Sequence, residues 1–367
     1  MKVALVHDYL TQRGGAERVV LALTRAFPEA PLFTSLYDPG GTFPEFGGLD
    51  VRTLPVNRLA PLRRHHRAAL PLLASSFSHL RISADVVICS SSGWAHGAHV
   101  EGRKIVYCHT PARWLYQADR YLRGRARPVH AAAGLLRSRL ERWDKRAAAS
   151  ADSYLANSTV VAERIRSLYG LEAEVVPPPP AITPEGPIEA LAGVEPGFVL
   201  CVSRLLPYKN VDAIVKAFVA LPDERLVVAG TGPQEQELRA AAGTNVTFAG
   251  RVGDAELRWL YASCRALVAA SHEDFGLTPL EAAGFGKPTA ALRFGGFLDT
   301  VEEGRTGVFF EEPTAEAITA GVRELLATSW SAETAVSSSA RFSEARFAER
   351  LHAAVADLAE RRSARPV

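Results

Sequence analysis

The sequence predicts an α/β protein built from two doubly wound, Rossmann-like domains facing one another across a cleft. Three observations carry this expectation. The chain has 367 residues, beyond the roughly 250–300 at which a single hydrophobic core stops growing. Short, continuously apolar runs alternate with amphipathic stretches, the pattern of parallel strands covered by helices on both faces. Between two such series lies VVPPPP (175–180), a proline run that continues neither strand nor helix and acts as a stiff spacer.

In chain order, the first series contains the strand-like runs VALVHD, DVVICSS, KIVYCHT and YLANS, with AERVVLALTRAF as the helix after the first. Beyond the prolines come FVLCVS (198–203), RLVVAG (225–230), VTFAG (246–250), ALVAAS (266–271), PTAAL (288–292) and GVFF (307–310). Helical stretches such as NVDAIVKAFVAL and DAELRWLYASC separate most of them. A last apolar-periodic stretch runs from about Ser343 to Leu358. The expected domains are residues 1–176 and 177–342, with a terminal helix over about 343–367 returning to the first.

Composition is that of an ordinary globular chain, 47% hydrophobic and 22% charged. MKVALVHD has too short an apolar run for a secretory leader, and AALPLLASSFS (68–78) falls short of the ~20 residues of a membrane span. Cysteines 89, 108, 201 and 264 lie in strand-like contexts without metal or disulfide spacing, which fits buried thiols in a reducing cytosol. The charge is unevenly divided: residues 1–176 hold 24 Lys and Arg against 15 Asp and Glu, and the remainder 18 against 25. Such asymmetry points to different partners for the two halves, with phosphate, anionic lipid and nucleic acid all open to the basic one.

Ligands of open α/β sheets bind outside the carboxyl ends of the strands, and each polar cluster here follows a strand. SRLLPYKN places Arg204 and Lys209 in a strand-to-helix turn. Two cations beside a helix N-terminus suit a diphosphate, although exposed cations are also commonplace. RGGAER supplies Gly14 and Gly15 before a helix, either for close approach of backbone amides to a ligand or as turn punctuation. Gly230 and Gly232 of GTGPQEQEL follow a strand, but position 235 is Glu, so the dinucleotide fingerprint is incomplete and they read as helix-entry glycines. His109 ends the strand of YCHTPARWLY. A lone histidine is more often structural than catalytic, and its position at a strand end favours function. HEDFGLTPLEA (272–282) holds Glu273 and Glu281 around Phe275-Gly276-Leu277. Thr278-Pro279-Leu280-Glu281 has the form of a capping box, with Thr278 as N-cap and Glu281 at N3. No Asp-x-Asp occurs and no His/Cys cluster has ligand spacing, so the expected site is metal-free.

In this order, RGGAE, HTPARWLY, SRLLPYKN, AGTGP and EDFGLTPLEAAGFGKP resemble retaining GT-B glycosyltransferases of family 4, over nearly the whole chain. HDYLTQRGGAERVV with CHTPARWLY looks most like GDP-mannose-dependent mannosyltransferases of polysaccharide and O-antigen assembly. The resemblance implies a GT-B fold, an acceptor-binding first domain and a donor-binding second. It implies that Glu273 meets the donor sugar's hydroxyls, that the amides of Phe275, Gly276 and Leu277 face sugar and phosphate, and that Glu281 accepts from the ribose. Arg204 and Lys209 would neutralise the leaving diphosphate in place of a metal, with Arg251 in the same donor-binding set. Gly14 and Gly15 would approach the phosphate, and His109 would line the sugar pocket. One departure is Gly295-Gly296-Phe297-Leu298-Asp299, where the family often has Glu at the position of Asp299.

The expected activity is retaining transfer of a hexose, mannose from GDP-mannose, to a hydroxyl of a glycan or lipid-linked acceptor, with no cofactor beyond the nucleotide-sugar donor. A UDP-sugar donor and a nucleotide-sugar epimerase on the same framework are the alternatives. Nucleic acid is not expected as a partner, because no basic-aromatic interleaving or reading motif is present. RLAPLRRHHRAALPLL (58–73) and the basic run from Arg103 to Arg146 suggest an anionic membrane surface as partner of the first domain, hence a cytoplasmic chain peripheral on the inner membrane face.

Overall fold

The computed structural model describes residues 1–64, 69–117 and 127–363. Arg67, Arg120, Arg123 and Arg125 of the basic stretches, and the last four positions of the expected terminal helix, lie outside the described residues. The chain divides into two compact units, Met1–Pro178 with Glu344–Val367, and Pro179–Ser343. The boundary therefore falls inside the proline run.

In the first unit the strands are β1 (Val3–His7), β2 (Leu32–Thr34), β3 (Val51–Thr53), β4 (Arg81–Ile82), β5 (Val86–Ser91), β6 (His99–Val100), β7 (Arg103–Cys108), β8 (Ser153–Ala156) and β9 (Glu174–Val175). Seven form a parallel sheet in the order β3-β2-β1-β5-β7-β8-β9, and β4 pairs with β6 alone. Central strand β5 is buried at every position, which is why its run VVICSS shows no alternation. The terminal helix Glu344–Ser363 completes this core with Phe347, Leu351, Val355 and Leu358. Arg350 and Glu174 pair at 2.6 Å beside it, and the His352 ring meets the carbonyl of Ala26 at 2.8 Å.

The second unit contains β10 (Val199–Val202), β11 (Leu226–Ala229), β12 (Val246–Gly250), β13 (Ala266–Ala269), β14 (Thr289–Leu292) and β15 (Gly307–Phe310). They form one parallel sheet in the order β12-β11-β10-β13-β14-β15. This is the strand order 3-2-1-4-5-6 of a doubly wound sheet, which reverses direction between β10 and β13. In the first unit the reversal lies between β1 and β5. A crevice opens beyond the carboxyl ends of the strands at each such point, because successive helices leave to opposite faces.

Candidate functional site

At the switch point of the second sheet, the loops after β10 and β13 lie side by side. Asn210 holds them together: its Nδ2 donates to the carbonyl of Ala270 at 2.7 Å, and its ring neighbour His272 Nδ1 lies at 3.4 Å. Asn210 is the one non-glycine residue with positive φ among the described residues, at 53°, and precedes the helix Val211–Val219. Asparagine tolerates that left-handed conformation better than most side chains.

The turn before it carries the cations. Arg204 is exposed and donates to the hydroxyl of Tyr208 at 3.0 Å. Lys209 is buried, lies 5.1 Å over the Tyr208 ring, and forms an ion pair with Glu273. Ser271 Oγ donates to the same carboxylate oxygen at 3.0 Å. The structure thus brings Arg204, Lys209 and Glu273 to one switch point. Arg251 lies elsewhere on the sheet's carboxyl edge, exposed after edge strand β12.

Gly230 and Gly232 lie in the loop that enters the next helix and also belong to this construction. The next helix, Glu235–Ala241, has Gln234 as its N-cap. A Cβ on Gly230 would stand 2.0 Å from the carbonyl oxygen of Ser203, and one on Gly232 2.3 Å from that of Leu205. Their bareness lets the chain around Arg204 lie against them, and the Gly230 φ of 139° suits glycine alone.

The capping-box expectation is corrected. The helix runs Leu277–Gly284 with Gly276 as N-cap at φ 89°, and no side chain caps it. A Cβ on Gly276 would lie 2.5 Å from the buried Phe297 ring. Packing against Phe297 therefore begins the helix ahead of Thr278. Glu281 falls a turn inside, 5% exposed, with Oε2 accepting from the Tyr261 hydroxyl at 2.6 Å and Oε1 from the Ala181 amide at 3.3 Å. Its carboxylate joins three segments of the second unit. The Phe275 side chain is buried, so that residue offers backbone groups at the helix start, with Gly276 and Leu277 beside it.

In the first unit, the carboxyl ends of β1, β5 and β7 converge on buried polar groups. His109 is 7% exposed; its Nε2 lies 2.7 Å from Ser90 Oγ, and its carbonyl accepts from Asn157 at 3.0 Å. His7 Nδ1 lies 3.0 Å from the same Ser90 hydroxyl and 3.2 Å from the Ser90 carbonyl. Burial holds both imidazoles neutral, lowering His7 to about 4 and His109, with a further push from His7, to about 3. Asp8 accepts from the amides of Ser92, Trp94 and Ala95 at 2.6, 3.2 and 2.6 Å. Burial nevertheless pushes its carboxyl up to about 6, because those donors offset only part of the desolvation. Gly14 is the N-cap of the helix Gly15–Ala26 and has no side-chain cap of its own. A Cβ there would stand 2.6 Å from the buried Glu17 carboxylate.

Sequence reasoning passed over His7, Asp8, Ser90, Ser271 and Tyr208. The signal available for His7 and Asp8 was their place directly after an apolar run, where HD ends VALV. Among the described residues no group of three His, Cys, Asp or Glu side chains is arranged to hold a metal, and no helix is long and apolar enough to cross a membrane.

Two family models cover these units in turn. Residues 13–180 match Glycosyltransferase Family 4, and residues 188–345 match Glycosyl transferases group 1. The human alpha-1,3/1,6-mannosyltransferase is similar at 27% identity over 85% of this chain and 85% of its own. A GDP-mannose-dependent alpha-(1-6)-phosphatidylinositol monomannoside mannosyltransferase of Mycolicibacterium smegmatis is 34% identical over 35% of this chain. A glycogen synthase of Thermus thermophilus is 34% identical over 43% of this chain. The matches span 38% and 41% of those two bacterial relatives, about two fifths of their length. Among solved structures, Anabaena HepE in complex with UDP superposes with a TM-score of 0.70 at 19% identity, over 97% of this chain and 100% of that one. At that identity the likeness is one of fold.

Proposed function

Since the chain belongs to the GT-B glycosyltransferases of family 4, we propose that it moves a hexose, mannose from GDP-mannose, to a hydroxyl of a glycan or lipid-linked acceptor with retention at the anomeric carbon. The observation that carries the reading is the grouping of Arg204, Lys209 and Glu273 at the switch point of the second sheet. Mannose as the sugar rests on the similarity to the two mannosyltransferases.

In this reading the second unit binds the donor. Arg204 and Lys209 meet the diphosphate, where negative charge grows as the glycosidic bond breaks; preorganised cations at that place are the main catalytic device. They act there instead of a divalent metal. Glu273, held by Lys209 and Ser271, orients sugar hydroxyls. The backbone at Phe275, Gly276 and Leu277 supplies amides at a helix start, which favour negative charge. A departing phosphate oxygen takes the acceptor's proton on the same face, so no protein carboxylate serves as nucleophile. Glu281, already engaged by Tyr261 and Ala181, shapes the ribose side of the pocket. Arg251 extends the donor side from the edge strand. The first unit serves the acceptor, and His109 and the Gly14–Gly15 turn are its substrate-facing groups, the one for a sugar and the other for a phosphate. The segment around Arg58, Leu59, Arg64 and Leu72, all exposed, docks on anionic lipid.

The test is a transfer assay with GDP-mannose and UDP-sugars, with and without lipid-linked acceptors and EDTA, and NMR of the product's anomeric proton. Acceptor-dependent transfer from GDP-mannose with retention, unaffected by EDTA, is expected. Conversion of a nucleotide sugar without acceptor would instead make the protein an epimerase. Transfer from a UDP-sugar alone would overturn the donor, and loss on chelation restored by Mg²⁺ would overturn the metal-free mechanism.

A further inference from the structure

The histidine pair of the first unit holds protons in a defined arrangement. His7 Nδ1 faces two oxygens of Ser90, the carbonyl at 3.2 Å and the hydroxyl at 3.0 Å. A carbonyl can only accept, so His7 Nδ1 carries the proton; a lone pair there would face a lone pair. The Ser90 hydroxyl, 1% exposed, then has one hydrogen-bonding acceptor left among the described residues, His109 Nε2 at 2.7 Å. A buried hydroxyl proton does not go unpaired when an acceptor is in place. Ser90 therefore donates to Nε2, and the neutral His109 ring carries its own proton on Nδ1.

We propose that Ser90 and His7 are positioning residues that lock His109 as the Nδ1–H tautomer, so that His109 meets the substrate as a hydrogen-bond donor and never as a base. The rest of the ring's surroundings fit that task. Tyr107 meets it edge-on at 5.3 Å, and Asn157 fixes the backbone carbonyl of the same residue at 3.0 Å. A histidine's unligated nitrogen is set by the bond its other nitrogen makes. Here that bond is supplied by a hydroxyl whose own polarity is set by a second histidine. The direction of all three bonds follows from the one group that cannot change role, the Ser90 carbonyl.

The assignment deepens the function proposed above and rests on it for the substrate contact, so the test reads the tautomer and the transfer separately. Long-range ¹H–¹⁵N spectra of histidine-labelled protein at pH 7, with His109→Asn for assignment, should show a protonated Nδ1 and an unprotonated Nε2 for residue 109. Ser90→Ala should shift His109 toward the Nε2–H form and lower kcat about tenfold, the scale of one neutral hydrogen bond, with KM changed less. Ser90→Thr, which keeps the hydroxyl, should restore both. A wild-type His109 protonated at Nε2, or a tautomer unmoved in Ser90→Ala, would overturn the proposal whatever the enzyme transfers. A tautomer that shifts without any change in kcat would overturn the substrate contact while leaving the transferase reading intact. Should Ser90→Ala fail to fold, Ser90→Cys, whose thiol is a weak donor, should give the same shift in smaller measure, and a tautomer unmoved there would equally overturn the proposal.

Discussion

Glu281→Ala separates a structural carboxylate from a merely helix-capping one. The side chain is 5% exposed and accepts from the Tyr261 hydroxyl at 2.6 Å and the Ala181 amide at 3.3 Å. Truncation leaves two donors without these bonds, and Tyr261 is fully buried. A buried donor left unpaired costs about 1–3 kcal/mol, so the expected loss is about 2–6 kcal/mol, against about 0.5–2 for a lost cap. Glu281→Gln retains an acceptor oxygen and should lose about half as much. The assay is urea unfolding followed at Trp259 and Trp330, which both belong to the second unit, with the slope checked so that a midpoint shift reports stability. Because the carboxylate spans the helices Leu277–Gly284 and Asp254–Ser263, Tyr261→Phe should be non-additive with Glu281→Gln by at least about 0.5 kcal/mol. An Ala variant within about 1 kcal/mol of wild type, or full additivity of the pair, would refute the buried-network account.

Arg204→Ala and Lys209→Ala should each lower turnover by about 10²–10³-fold, the scale of one preorganised electrostatic contact, while the variants remain folded; wild-type rates in either would remove it from the diphosphate site. Stability should fall on acidification from pH 6.5 to about 4: His7 and His109, lowered to about 4 and about 3 in the folded chain, stay neutral where the unfolded chain binds protons. Asp8, raised to about 6, works in the opposite sense between about 6 and 3.8, since folding then favours its protonated form. Two histidines outweigh one aspartate, and a His7→Asn/His109→Asn variant should lose the acid sensitivity in a pH series of melting curves. Vesicle co-sedimentation should require anionic lipid, weaken with salt and drop when Arg58 and Arg64 become Ser; equal recovery with neutral vesicles would remove the membrane surface.

The architecture was legible because parallel strands buried on both faces leave uninterrupted apolar runs. Each run read as a strand in the second half, from FVLCVS to GVFF, is a strand of the second sheet. The short strands β2, β3 and β9, toward the two margins of the first sheet, were not legible, since two or three residues pair there through backbone groups that no side-chain pattern records. The polar clusters at strand ends pointed to Arg204, Lys209, Glu273 and His109, because loop chemistry stands out against an apolar run. What the sequence by itself determined was where the strands end and which polar residues follow them. Partnership was decided by tertiary structure alone. Thr278 looks like an N-cap only until the Phe297 ring excludes a Cβ at position 276, which gives the turn to glycine and carries Glu281 into the interior to meet Tyr261. Ser90 looks like any serine in a strand until β1 and β7 bring a histidine to each side of it. The physical reason is the same in both places: a side chain's hydrogen-bonding role depends on what stands within about 3 Å of it, and those neighbours come from strands and helices far away in the chain.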